Sequence, residues 1–122
     1  MDGRRVETLL LIAVGGFAGA IARHAIALAL PGAFPVGTLV ANVVGAFLLG
    51  VLLYEQRLVG VVSEETRLVA GTGFLSSFTT YSTFALETAG LAPELAVANV
   101  AANYTLGFLA VLAGRAVTRW SA

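Results

Sequence analysis

Long apolar runs alternate along this chain with short polar breaks. A membrane-crossing helix needs about 20 mostly apolar residues. Four runs meet that length: 8–30, 36–54, 68–86 and 95–117. The breaks carry residues that stop helices. Pro31, Gly32 and Pro35 close the first loop, since proline cannot continue a helix. Glu55, Gln56 and Arg57, followed by Ser63, Glu64 and Glu65, mark the second, and Gly90 and Pro93 the third. Ser63 ahead of Glu64, Glu65 and Thr66 reads as the capped start of a helix. The pattern predicts an all-α, multi-pass membrane protein with four transmembrane helices in a single domain over residues 1–122. A secretory leader is the competing reading of Arg4-Arg5, the run 9–14 and Ala18-Gly19-Ala20. It is disfavoured because the apolar run continues past Ala20 and three more spans follow.

Composition agrees with the membrane reading. Hydrophobic residues make up 58% of the 122 and charged residues 11%. A soluble protein carries about 25% charged residues, and a small soluble fold has much surface to cover with polar groups. Mean hydropathy is +0.90. A soluble enzyme, a nucleic-acid binder and a disordered chain are all poorly supported, and a net charge of zero offers no patch for polyanions. There is no cysteine, and the single His24 cannot build a zinc site alone. No nucleophile–base pair, phosphate loop or metal cluster appears, so enzymatic activity is not expected.

Function is sought in the polar groups at membrane depth, which are costly there and mark pathways. Gly15, Gly19 and Arg23 fall at i, i+4, i+8 on one face of the first span. Gly15-x-x-x-Gly19 permits close helix packing. Arg23 lies seven residues from Leu30, about 10 Å of helix. It either snorkels outwards or draws anions to a mouth or interface. Asn42 in the second span, with Thr38 one turn earlier, is an interhelical hydrogen bonder or a lining donor. Residues 76–83 read Ser-Ser-Phe-Thr-Thr-Tyr-Ser-Thr, seven of eight bearing a hydroxyl. Such hydroxyls satisfy backbone groups locally and permit a break in a membrane helix, with Gly71 and Gly73 adding freedom. A continuous, packed helix is the alternative. Tyr81 and Phe84 share one side; aromatics at this spacing commonly just pack, and ring edges turned to a passage, which carry positive charge density, would contact an anion. Asn99 and Asn103, with Gly107, form a stripe along the fourth span. No carboxylate lies deep in a span, which argues against a proton-coupled antiporter. A passage lined by neutral donors, with positive charge at one mouth, suits a small anion that hydrogen-bonds strongly.

Three segments carry a resemblance over essentially the whole chain. They are Gly15-Gly16-x-x-Gly19-Ala20-x-x-Arg23, Gly37-Thr38-Leu39-x-x-Asn42-x-x-Gly45, and Thr79-Thr80-Tyr81-Ser82-Thr83-Phe84-x-x-Glu87. The chain resembles the Fluc/CrcB fluoride channels. The resemblance implies a dual-topology dimer of two antiparallel subunits with two fluoride pores near their interface. It implies a third helix broken at mid-membrane. It makes Asn42 a pore-lining donor, and Tyr81 and Phe84 the pore aromatics, with tyrosine standing where the family usually has phenylalanine. Thr38, Ser82 and Thr83 join the pore as candidate hydroxyls, and Asn99, Asn103 and Gly107 fall along its polar track. Arg23 matches an arginine near the pore entrance and interface. A structural sodium ion at the dimer centre is implied, held by main-chain carbonyls at Ser76 and Thr79. The implied role is passive export of fluoride from the cytoplasm across the cell inner membrane, relieving toxicity. A four-helix multidrug-type transporter lacks its expected embedded acid here. A non-transporting assembly subunit leaves the hydroxyl run unexplained.

Arginine placement adds one expectation. Four spans put Arg4, Arg5, Arg57, Arg67, Arg115 and Arg119 on one side, with only Arg23 towards the other. The positive-inside rule then favours cytoplasmic termini. A chain inserting equally both ways should lack such bias, so pairing with a homologous subunit of opposite orientation is expected over pairing with itself.

Overall fold

The computed structural model describes residues 2–58 and 63–121. Every regular element among them is helical: α1 (Gly3–Ala29), α2 (Val36–Leu58), α3 (Glu64–Arg67), a π-helical segment (Leu68–Leu75), α4 (Ser76–Phe78), α5 (Ser82–Ala89) and α6 (Pro93–Ser121). Among the described residues three helices are long and apolar enough to cross a membrane: α1, α2 over Val36–Tyr54, and α6 over Pro93–Trp120. The expected span 68–86 is instead divided among shorter pieces. α2 continues through Glu55, Gln56 and Arg57, which the sequence placed at a break. The side chains of those three lie outside the described residues.

Helix ends follow local chemistry. The Asp2 carboxylate accepts the Arg5 N–H at 2.9 Å, starting α1 ahead of its apolar run. Pro35 precedes α2 and its carbonyl accepts the Leu39 N–H. The Ser63 hydroxyl accepts the Thr66 N–H at 3.2 Å, and Glu64 and Glu65 occupy the first turn of α3, where the helix dipole favours negative charge. Pro93 opens α6, where its missing N–H costs nothing.

Two close-packed pairs build the molecule. α1 lies on the π-helical segment: a Cβ at Gly15 would strike the Val69 carbonyl, one at Gly19 the Phe74 carbonyl, and one at Gly73 the Ile12 carbonyl. α2 lies on α6, where Gly50 faces the Val111 carbonyl and Gly114 the Phe47 carbonyl. Small residues let membrane helices approach this closely and gain packing where lipid gives no hydrophobic drive. Gly45 of α2 sits against the Thr79 side chain, joining the two pairs at the end of α4. The outer surface is apolar, with Val14, Phe17, Ile21 and Leu28 of α1 and Val97, Phe108 and Leu112 of α6 exposed.

Candidate functional site

The segment between α4 and α5 shapes the site. Thr79 leaves the helix with φ −82° and ψ 157°. Its N–H and its hydroxyl both bond the Leu75 carbonyl, at 3.0 and 2.8 Å. Thr80 makes no helical continuation. Its N–H donates to Asn42 Oδ1 at 2.8 Å, and its carbonyl accepts from Asn42 Nδ2 at 3.1 Å. One side-chain amide from α2 therefore satisfies both backbone polar groups of Thr80. The Thr80 hydroxyl then accepts the Thr83 N–H at 3.1 Å, one of the free N–H groups in the first turn of α5.

From Asn42 a hydrogen-bonded ladder runs into α6. Asn42 Nδ2 also donates to Asn103 Oδ1 at 3.2 Å. Asn103 Nδ2 donates to the Asn99 carbonyl and to Asn99 Oδ1, at 2.9 and 3.1 Å. Asn99, fully buried, donates to the Thr88 hydroxyl at 2.8 Å, and Thr88 donates to the Phe84 carbonyl at 2.6 Å. Buried polar groups left unpaired are expensive, and here each side chain passes the requirement to the next.

Beside this ladder lies an open groove of about 490 Å³. Its walls include Gly45, Ala46 and Leu49 from α2, Gly71 and Leu75 from the π-helical segment, and Tyr104 from α6. Of the residues singled out in the sequence, it gathers Asn42, Ser76, Thr79, Tyr81, Phe84 and Asn103. Tyr81 and Phe84 lie with ring centroids 5.9 Å apart.

The others stand off the groove. Thr38 is buried and donates to Glu87 Oε1 at 2.6 Å. Asn99 sits behind the wall. The Ser82 hydroxyl is exposed, 3.5 Å from that of Thr80, and Thr83 is half-buried. Arg23 approaches from α1, its Nε donating to the Ser77 carbonyl at 3.0 Å. The Ser76 hydroxyl turns back to the carbonyls of Thr72 and Gly73.

The sequence does not mark Thr80, Thr88 or Tyr104 as individual site residues, and Glu87 stands there only as the last residue of the third motif segment. A carboxylate so placed is found only when the bundle brings Thr38 onto it. No group of three or more His, Cys, Asp or Glu side chains fit for a metal occurs among the described residues.

A family model described as CrcB-like protein, Camphor Resistance (CrcB), matches residues 10–115. The chain belongs to this family. Among CrcB-like relatives it is 64% identical over 114 residues to Fluoride-specific ion channel FluC 1 of Natronomonas pharaonis, covering 93% of this chain and 96% of that one. It is 57% identical to FluC 1 of Haloarcula marismortui, covering 93% and 87%. It is 53% identical to FluC 2 of Halobacterium salinarum, covering 88% and 83%. Membership, together with the apolar helices, makes this an all-helical membrane protein of a channel family.

Proposed function

We propose that this chain forms a fluoride-selective channel that exports fluoride passively from the cytoplasm through the cell inner membrane. The observation that carries the reading is the ladder from the Thr80 peptide through Asn42, Asn103, Asn99 and Thr88 to Phe84. It sets neutral donors and aromatic rings along an apolar groove, with no cation among the lining residues. Fluoride is small and holds water tightly, so a passage must replace that water with donors along its route. Both Asn42 amide hydrogens are engaged, and the longer contact, to Asn103 Oδ1, is the one an arriving ion displaces. The positive edges of Tyr81 and Phe84 supply further contacts without a fixed charge that would trap the ion. A larger halide fits the width less well and uses the donors less fully. The names of the curated relatives point to the same ion.

The working assembly in this reading is an antiparallel, dual-topology dimer. Four spans cross the membrane, with the third interrupted at membrane depth where α4 gives way to α5. The apolar groove faces outward from the subunit and is the surface a second subunit closes. The interruption also bears on the structural sodium. Thr80 N–H is diverted to Asn42, the Ser77 carbonyl is taken by Arg23 and the Thr80 carbonyl by Asn42. The carbonyls of Ser76 and Thr79 lie beside these groups, at the end of α4. Hard cations take oxygen ligands of this kind, so the donor set fits sodium. These two carbonyls would hold it, and its charge would tie the two subunits at their centre.

Reconstitution tests the reading. Vesicles loaded with fluoride and carrying purified protein are expected to release it in proportion to protein dose while holding chloride. Vesicles that keep fluoride and leak chloride or an organic cation would defeat the proposal.

A further inference from the structure

Phe84 is tied at its backbone and flanked by two rings. Thr88 bonds its carbonyl at 2.6 Å. The Tyr81 ring lies 5.9 Å from it, tilted at 49°. The Tyr104 ring lies 6.2 Å away at 77°, a T-shaped contact. Phe84 is 7% exposed, whereas Tyr81 and Tyr104 are 72% and 62% exposed, and all three border the groove. The orientation of the buried ring is therefore set by its neighbours rather than by solvent.

That orientation carries a sign. A benzene ring is positive at its edge and negative on its face. A quarter turn about the Cβ–Cγ axis would exchange one for the other at the groove wall, turning attraction for an anion into repulsion. Perpendicular packing against Tyr104 opposes that turn, because a rotated Phe84 loses the edge-to-face arrangement. The Tyr104 hydroxyl makes no hydrogen bond among the described residues, so its ring is the part in use.

We propose that Tyr104 is a positioning residue for conduction. Its ring fixes the rotation of Phe84 so that an edge meets the ion. The inference rests on the anion-channel reading above and adds a specificity role for a residue outside the amide ladder.

The test compares fluoride and chloride efflux from vesicles carrying wild type, Tyr104→Phe, Tyr104→Leu, Phe84→Ile and the double variant Tyr104→Leu with Phe84→Ile. Tyr104→Phe should stay within about twofold of wild type. Tyr104→Leu should slow fluoride by roughly two- to tenfold, the range set by one aromatic pair, and raise chloride leak relative to fluoride. On the Phe84→Ile background the same change should add nothing, since the ring it positions is gone. Assembly size on gel filtration reports folding. If Tyr104→Leu disperses the protein, Tyr104→Met replaces it under the same expectations. Equal slowing on both backgrounds, or no slowing, overturns the inference while leaving the channel reading intact. Wild-type vesicles that hold their fluoride overturn both.

Discussion

Asn42 and Thr80 form an amide-to-peptide pair in which each group both donates and accepts. The sequence left Asn42 open between helix glue and lining donor. In the structure it makes interhelical bonds and also borders the groove. Removing it strands a peptide N–H and carbonyl in apolar surroundings, at about 1–3 kcal/mol for each unsatisfied group. Asn42→Ala is therefore expected to lower the melting temperature in detergent and to slow fluoride release together. Phe84→Ile separates the two effects. It keeps bulk and removes the electropositive edge, so flux should fall while assembly size on gel filtration is unchanged. Joint loss of flux and assembly would assign the ring to packing alone. Neither pair of partners could be read from spacing, because Asn42 and Thr80 are 38 residues apart and Phe84 and Tyr104 lie on different helices.

At the level of helices, glycine position decides which surfaces meet. Gly15 and Gly19 stood out as a close-approach motif, and the surface they meet is the backbone of the π-helical segment. Gly19→Val places a side chain into the Phe74 carbonyl, where no rotamer relieves the contact. It should abolish a monodisperse peak in detergent. Gly107→Ala is the contrasting case: nothing lies within 4 Å of its added Cβ, and the folded subunit should tolerate it with unchanged melting temperature. The hydroxyl run at 76–83 left open a break or a continuous helix. In the structure α4 stops at Thr79, whose backbone is extended, and Asn42 of α2 takes the N–H and carbonyl of Thr80. Serine and threonine supply local alternatives to helical bonding, and a neighbouring helix selects among them.

The whole molecule shows two surfaces of different kind. One is the lipid-like apolar exterior of α1 and α6, and the other is the groove with its amides and rings. If four spans cross the membrane, six arginines fall on the side of both termini, against Arg23 alone towards the other. Expressed alone, with tags that report each terminus, the chain is expected to label predominantly on the cytoplasmic side and to need a homologous partner of opposite orientation for full activity. Equal labelling on both sides would instead assign self-pairing.

What the sequence by itself determined follows from local rules. Apolar run length marked membrane-crossing helices, proline and capping residues marked their ends, and low charge argued against a soluble fold. The glycines, the Asn stripe and the hydroxyl run marked where polar chemistry enters the membrane. Only the tertiary structure decided which of these groups meet. It routed Thr38 to Glu87, Arg23 to the Ser77 carbonyl, and Asn99 to a buried place behind the groove wall. The physical reason is range. Periodicity and capping act within a few residues of chain, whereas a buried hydrogen bond or an edge-to-face ring contact exists only once separate helices have packed.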